Sequence, residues 1–179
     1  MNLISILKIN KINEDYFNYI DTVYDLINHT KVKSMNDYIQ HGDVTTLNHC
    51  LNVSYKSFLI SKKLNLDCNS CARAGLLHDF FLYDWHNHEP MDKLHGFAHP
   101  LIALKNAEEN FQLNDIEKDI IKKHMWPLTL KVPRYKESFI VCFVDKYCSF
   151  SEIVISNLNK IYSWALVRKT FVNNLLKSN

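Results

Sequence analysis

Apolar and polar residues alternate along this chain in steps of three and four, the period of helices. Between Asn13 and His29, Phe17, Ile20, Tyr24 and Ile27 keep that spacing and predict an outer helix with this stripe turned inward. Thr45 or Thr46 can cap a helix running to about Leu64. In it Leu47, Leu51 and Phe58 share one face and His49, Val53, Ile60 and Leu64 another, so a central position is expected. A shorter helix should run from about Ser70 into His78 and Asp79, followed by a polar and aromatic loop from Tyr83 to Leu94. Proline fits a helix only where no N–H partner is lost, so Pro100 puts His99 at or beside the next helix start, with Leu101, Leu104, Ala107 and Phe111 as its stripe. Asn114 and Glu117 have capping-box spacing ahead of a helix carrying Ile116, Ile120 and His124 on one face, and Pro127 ends it. Ser138 to Phe150 is apolar apart from Asp145 and Lys146. From about Glu152 to Leu176 the pattern predicts a further amphipathic helix.

Composition narrows the fold class. With 3 Gly, 4 Pro and no Asn-Gly or Asp-Gly pair, the chain has little turn chemistry for a sheet, and an all-α fold is expected. A chain of 179 residues, 47% hydrophobic and 22% charged, can build one core, so residues 1–179 are read as one domain. The formal charge of +2 provides no whole-molecule field for nucleic acid or an anionic membrane. No segment approaches the ~20 apolar residues of a membrane span and the start lacks a signal-peptide pattern, so a cytoplasmic protein without membrane partners is expected. Five cysteines make an odd set. Cys50, Cys142 and Cys148 lie in apolar helical runs as buried thiols, and Cys68 and Cys71 lack the second pair that zinc needs.

The stretch "GLLHDFFLYDWHNH" sets an ionisable pair, His78 and Asp79, inside a run that otherwise reads as core. His49, His99, His124 and Asp145 likewise lie on predicted helices beside apolar positions. A lone buried histidine is ordinarily a hydrogen-bonded core residue, but burying a carboxylate without a partner costs several kcal/mol. Two carboxylates beside four imidazoles are most simply buried around a divalent cation, which uses their lone pairs and neutralises their charge. Such a set suits Fe, Mn, Co, Ni or Zn, with Mg tolerating fewer imidazoles. Adjacent residues on a helix point about 100° apart, so Asp79 could bridge to a second ion while His78 holds the first.

The order His, His-Asp, His, His, Asp is carried by "HGDVTTLNHCLNVS", "ARAGLLHDFFLYDW", "LHGFAHPLIALKNA", "DIIKKHMWP" and "VDKYCS". It resembles the HD-domain superfamily of metal-dependent phosphohydrolases, and a bacterial group within it. The resemblance runs from about His41 to Asp145 and implies an HD-domain helical bundle with a motif core over about 41–150. It further implies hydrolysis of a nucleotide or another small phosphoester by a metal-activated water. By the same resemblance His49, His78, Asp79 and Asp145 hold one ion, and His99 and His124 complete a second site bridged by Asp79. Asp79 would orient the nucleophile, and His95 or another loop histidine would protonate the leaving oxygen. His95 and His99 both stand where the family often has one histidine; "HPLIAL" fits from His99, which is ranked as the ligand. Lys146 and Lys122, with Lys123, are candidate phosphate contacts, and His41 is a candidate wall residue. Leu82 stands where several relatives have a phosphate-contacting lysine. The alternatives are a non-catalytic nucleotide sensor and a di-iron oxygenase built on the same ligands.

Overall fold

The structure is a computed structural model that describes the backbone of residues 3–84 and 95–177 and the side chains of 14–84 and 96–159. Among these the fold is all-α, with one short hairpin. The elements run α1 (Leu3–Asn28), α2 (Thr30–Lys33), a 3-10 turn (Ser34–Asp37), β1 (Ile39–His41), β2 (Val44–Thr45), α3 (Thr46–Lys63), α4 (Cys68–Leu77), α5 (His95–Asn110), α6 (Asp115–Lys123) and α7 (Lys136–Lys177). No helix among the described residues is long and apolar enough to cross a membrane.

Helices α3 and α4 form the centre, each started by a side-chain cap. Thr45 Oγ1 accepts from the Asn48 N–H at 3.3 Å, and Asp67 accepts from the Ser70 N–H at 3.0 Å. The two helices pack through small residues: Ser54, Ser57 and Ser61 are buried, and Ser54 Oγ donates to the Ala72 carbonyl at 2.6 Å. A Cβ added to Gly75 would lie 3.0 Å from Ser54 Cα, so any larger residue would crowd this approach. Around the pair, Val23, Leu26, Met35, Val53, Phe58, Leu76, Phe80, Ile120 and Val141 close the core. The α6 capping box is formed as its spacing predicts, with Asn114 and Glu117 bonded reciprocally at 2.8 and 2.9 Å.

Four expectations need correction. On α1 the buried stripe is Tyr19, Val23 and Leu26, flanked by Ile20 and Ile27, while Phe17 (71% exposed) and Tyr24 face outward. Both stripes have helical period, and periodicity alone does not choose between them. On α3, Ile60 and Leu64 are exposed, and the inward face is filled by serines and His49 instead. Helix α5 starts at His95, so Pro100 is its sixth residue rather than first-turn, and His99 lies one turn in; its buried face is His99, Pro100, Ala103 and Ala107. Finally, the two apolar runs beginning at Ser138 and Glu152 are one helix of 42 residues, α7. The loop expected over 83–94 lies outside the described residues from 85 onward, which includes His86 and His88.

The hairpin positions the site. Ile39 pairs with Thr45 and His41 with Val44, and Gly42 turns between the strands at φ +60°. A Cβ there would meet the Ser156 side chain at 2.6 Å, and Asp43 accepts from Ser156 Oγ at 3.1 Å. The hairpin is thereby pinned to α7 and points Gln40 and His41 toward the histidines.

Candidate metal centre

Five segments deliver the cluster. His49 comes from the first turn of α3, His78 and Asp79 from the end of α4, His99 from α5, His124 from the end of α6 and Asp145 from α7. All six are buried. Two groups have donor atoms all within 4.8 Å of one another, His49–His78–Asp79 and Asp79–His99–His124, and Asp79 belongs to both. Asp145 joins the first group, its Oδ1 lying 3.1 Å from His49 Nε2 and 3.6 Å from His78 Nε2. Asp79 Oδ1 faces His99 Nε2 at 3.1 Å and His124 Nε2 at 3.4 Å, while Oδ2 is 3.2 Å from His78 Nε2.

Each of three imidazoles is anchored through its far nitrogen. His78 Nδ1 donates to the Gly75 carbonyl at 2.8 Å, and His124 Nδ1 to the Ile121 carbonyl at 2.9 Å. His49 Nδ1 donates to Glu152 Oε2 at 2.8 Å. A carbonyl or carboxylate only accepts, so the proton of each neutral ring sits on Nδ1 and Nε2 presents a lone pair. Those lone pairs converge on carboxylate oxygens, and His99 and His124 bring Nε2 to within 2.7 Å of each other. Buried His78 Nε2 and Asp79 Oδ1 make no hydrogen bond. Lone pairs facing lone pairs in a buried site need a cation or protons between them. The donor set therefore fits a metal ion, and its anchoring through backbone carbonyls and a carboxylate is what ligating histidines require.

The same deficit of positive charge sets the ionisation of these groups. Burial pulls His49 down, but its hydrogen bonds to Asp145 and Glu152 outweigh that and raise the imidazole to about 8. Burial opposes ionisation of His78 too, yet the Asp79 charge lifts it well above its ordinary value. Both carboxyls are held well below the usual range despite burial, Asp79 by the charges of His78 and His99, and Asp145 by its hydrogen bond with His49 and the nearby His78 charge. His124 goes the other way, because burial outweighs its contact with Asp79. Without a cation the imidazoles must carry the protons that balance two aspartates.

Beyond the cluster a cavity of about 400 Å³ opens between the hairpin, α5 and α7. His41, Met125, Leu128, Lys146 and Ser149 line it together with Asp79 and His99. Lys146 lies on this wall, but two of its protons go to the carbonyls of His124 at 2.9 Å and Cys142 at 3.3 Å, leaving a third donor for a ligand. Lys122 is exposed on α6 and does not line the cavity, and Lys123 pairs with Asp119. The His95 side chain lies outside the described residues. A larger, more open cavity of about 850 Å³ beside Arg73 holds none of the histidines, and that guanidinium is committed to Asp25 at 2.6 Å and Glu117 at 3.1 Å. All five cysteines are free, and burial pushes the Cys71 thiol up to about 12, which argues against a reactive CxxC.

No protein-family model matches the chain, no curated protein matches it, and no solved structure matches it.

Two contributors escaped the sequence reading. Glu152 stands two turns after Asp145 on the same face of α7, a spacing visible only if the helix is continuous. Gln40, whose Nε2 donates to Asp79 Oδ2 at 2.6 Å, arrives on a hairpin that the helical pattern did not announce.

Proposed function

We propose that this chain is an HD-domain metal-dependent phosphohydrolase acting on a small phosphoester, with a nucleotide as the substrate class. One observation carries the reading: a buried carboxylate, Asp79, is shared between two histidine groups whose Nε2 atoms turn toward it. Imidazole nitrogens from three separate helices around one carboxylate are the donor set of a bound cation. A divalent cation bound there lowers the pKa of water and screens phosphoryl oxygens as charge redistributes.

The chain's own residues supply the rest. Asp79, steadied by Gln40, fixes the direction of the nucleophile. His41 packs edge-on against His49 with ring centroids 5.5 Å apart and stands at the cavity wall, within reach of a bound ester. The third Lys146 proton serves one phosphoryl oxygen. Met125 and Leu128 give the substrate body an apolar wall that excludes water.

Metal analysis of protein purified without chelator, followed by phosphoester and nucleotide panels with Mn²⁺, Fe²⁺, Co²⁺ and Mg²⁺, tests the proposal. Phosphate release that requires metal and is lost in Asp79→Asn supports it. Metal-loaded protein that binds nucleotide without turnover would identify a sensor, and turnover that requires O₂ an oxygenase.

A further inference from the structure

Helix α7 has a buried inward side and an apolar outward one. Inward it buries Val141, Asp145, Cys148 and Glu152, which close the core and the metal centre. Outward, Phe143, Tyr147, Phe150 and Val154 follow one another at steps of four, three and four, and Leu158 continues the row. The three rings are 62%, 63% and 70% exposed. That spacing is the seam of a helix that pairs with another helix. Phe143 and Tyr147 adjoin exposed Ile60 on α3, with the Lys56 ammonium 5.8 Å from the Tyr147 ring.

Area decides whether the row matters. Aromatic side chains offer ~150–250 Å² each, so the three rings leave roughly 400 Å² uncovered. The exposed parts of Val154, Leu158, Ile60 and Ile153 add about 200 Å² at the area implied by aliphatic burial energies. Roughly 600 Å² matches the largest patches that monomers show and approaches the ~800 Å² that each partner gives to a stable interface. The five side chains of the row, Phe143 to Leu158, are uncharged, with the Lys56 ammonium at one edge, so the row suits a partner with an apolar helix face of the same spacing. Among the described residues α7 itself is that face, and its helical backbone continues to Lys177.

We propose that the outward face of α7 pairs with the same face of a second copy of this chain about a two-fold axis. Such an isologous contact leaves the histidine cluster, on the opposite side of α7, untouched. The proposal stands independently of the metal reading.

Sedimentation equilibrium of the full chain from low to high micromolar concentration tests it, with Phe150→Glu, the milder Phe150→Ala, and Phe17→Glu on exposed α1 as a control. The expected result is a wild-type dimer whose dissociation constant rises at least ~30-fold in Phe150→Ala, as for loss of a central interface anchor. Phe150→Glu should be monomeric with unchanged helical ellipticity, and Phe17→Glu should remain dimeric. A wild-type monomer at every concentration overturns the proposal, as does a dimer that survives Phe150→Glu. A monomer that instead binds anionic phospholipid vesicles through Phe150 overturns it too.

Discussion

Glu152 holds His49, 103 positions away in the chain, through a 2.8 Å hydrogen bond to Nδ1, while His49 Nε2 faces Asp145, two turns earlier on the same face of α7. One helix thus supplies both a candidate ligand and the group that orients another. Asn52 Nδ2 lies 3.4 Å from the second Glu152 oxygen and steadies it from α3.

Loss of that anchor should loosen the ligand rather than remove it. Glu152→Ala is expected to weaken metal binding by about 10–100-fold, the usual cost of losing a ligand's outer partner. Titration calorimetry with Mn²⁺ or Co²⁺ measures this, beside melting curves that report whether the fold is intact. An affinity equal to wild type would mean that Glu152 only balances charge.

The α3–α4 contact makes a prediction about packing. Gly75→Ala places a methyl 3.0 Å from Ser54 Cα, which is backbone and cannot swing away. A destabilisation of about 1–3 kcal/mol follows from such overpacking. Urea denaturation measures it, and an unchanged midpoint would show that the two helices have slack.

How far this centre could be read from sequence follows from where its residues sit. Asp145 is an isolated charge in an apolar run, and His78–Asp79 interrupts a hydrophobic one, so their cost of burial marks them without a structure. Glu152 and Gln40 are ordinary polar residues at positions that pattern treats as surface. Only the continuity of α7 and the Gly42 turn bring them inward. The helix boundaries were legible where caps write them, at Thr45 and Asn114. The inward face of α1 was not, because Phe17 and Tyr24 keep the same period as Tyr19, Val23 and Leu26.

The joint between α6 and α7 should be sensitive to acid. Burial pulls the Asp119 carboxyl upward, but hydrogen bonds from Lys123, the Arg134 N–H and Ser138 outweigh that and hold it below its ordinary value. Its folded value is the lower one, so it stabilises above the unfolded value of ~3.9 and that contribution is lost as pH falls through the folded value. Asp119→Asn should therefore cost about 1–3 kcal/mol near neutrality and progressively less below pH ~4, as read by denaturation midpoints across pH. A gap that stays constant to the lowest pH would contradict this.

Removing metal should cost stability as well as activity. An ion at about one hundred times its dissociation constant stabilises by ~2.7 kcal/mol, which for a domain of this size raises the melting temperature by roughly 5–10 °C. Differential scanning calorimetry before and after verified chelation gives the shift. Coincident melting curves would argue that protons alone balance the two aspartates.

The shared Asp79 carboxylate is most directly tested by counting ions. Inductively coupled plasma analysis of Mn²⁺- or Co²⁺-loaded wild type and His124→Ala, normalised to protein, gives the number per chain. Two groups that meet at Asp79 predict about two ions in wild type and one in His124→Ala, with His49, His78 and Asp145 retaining theirs. No bound metal in a folded wild-type chain, or a count that His124→Ala leaves unchanged, would contradict it.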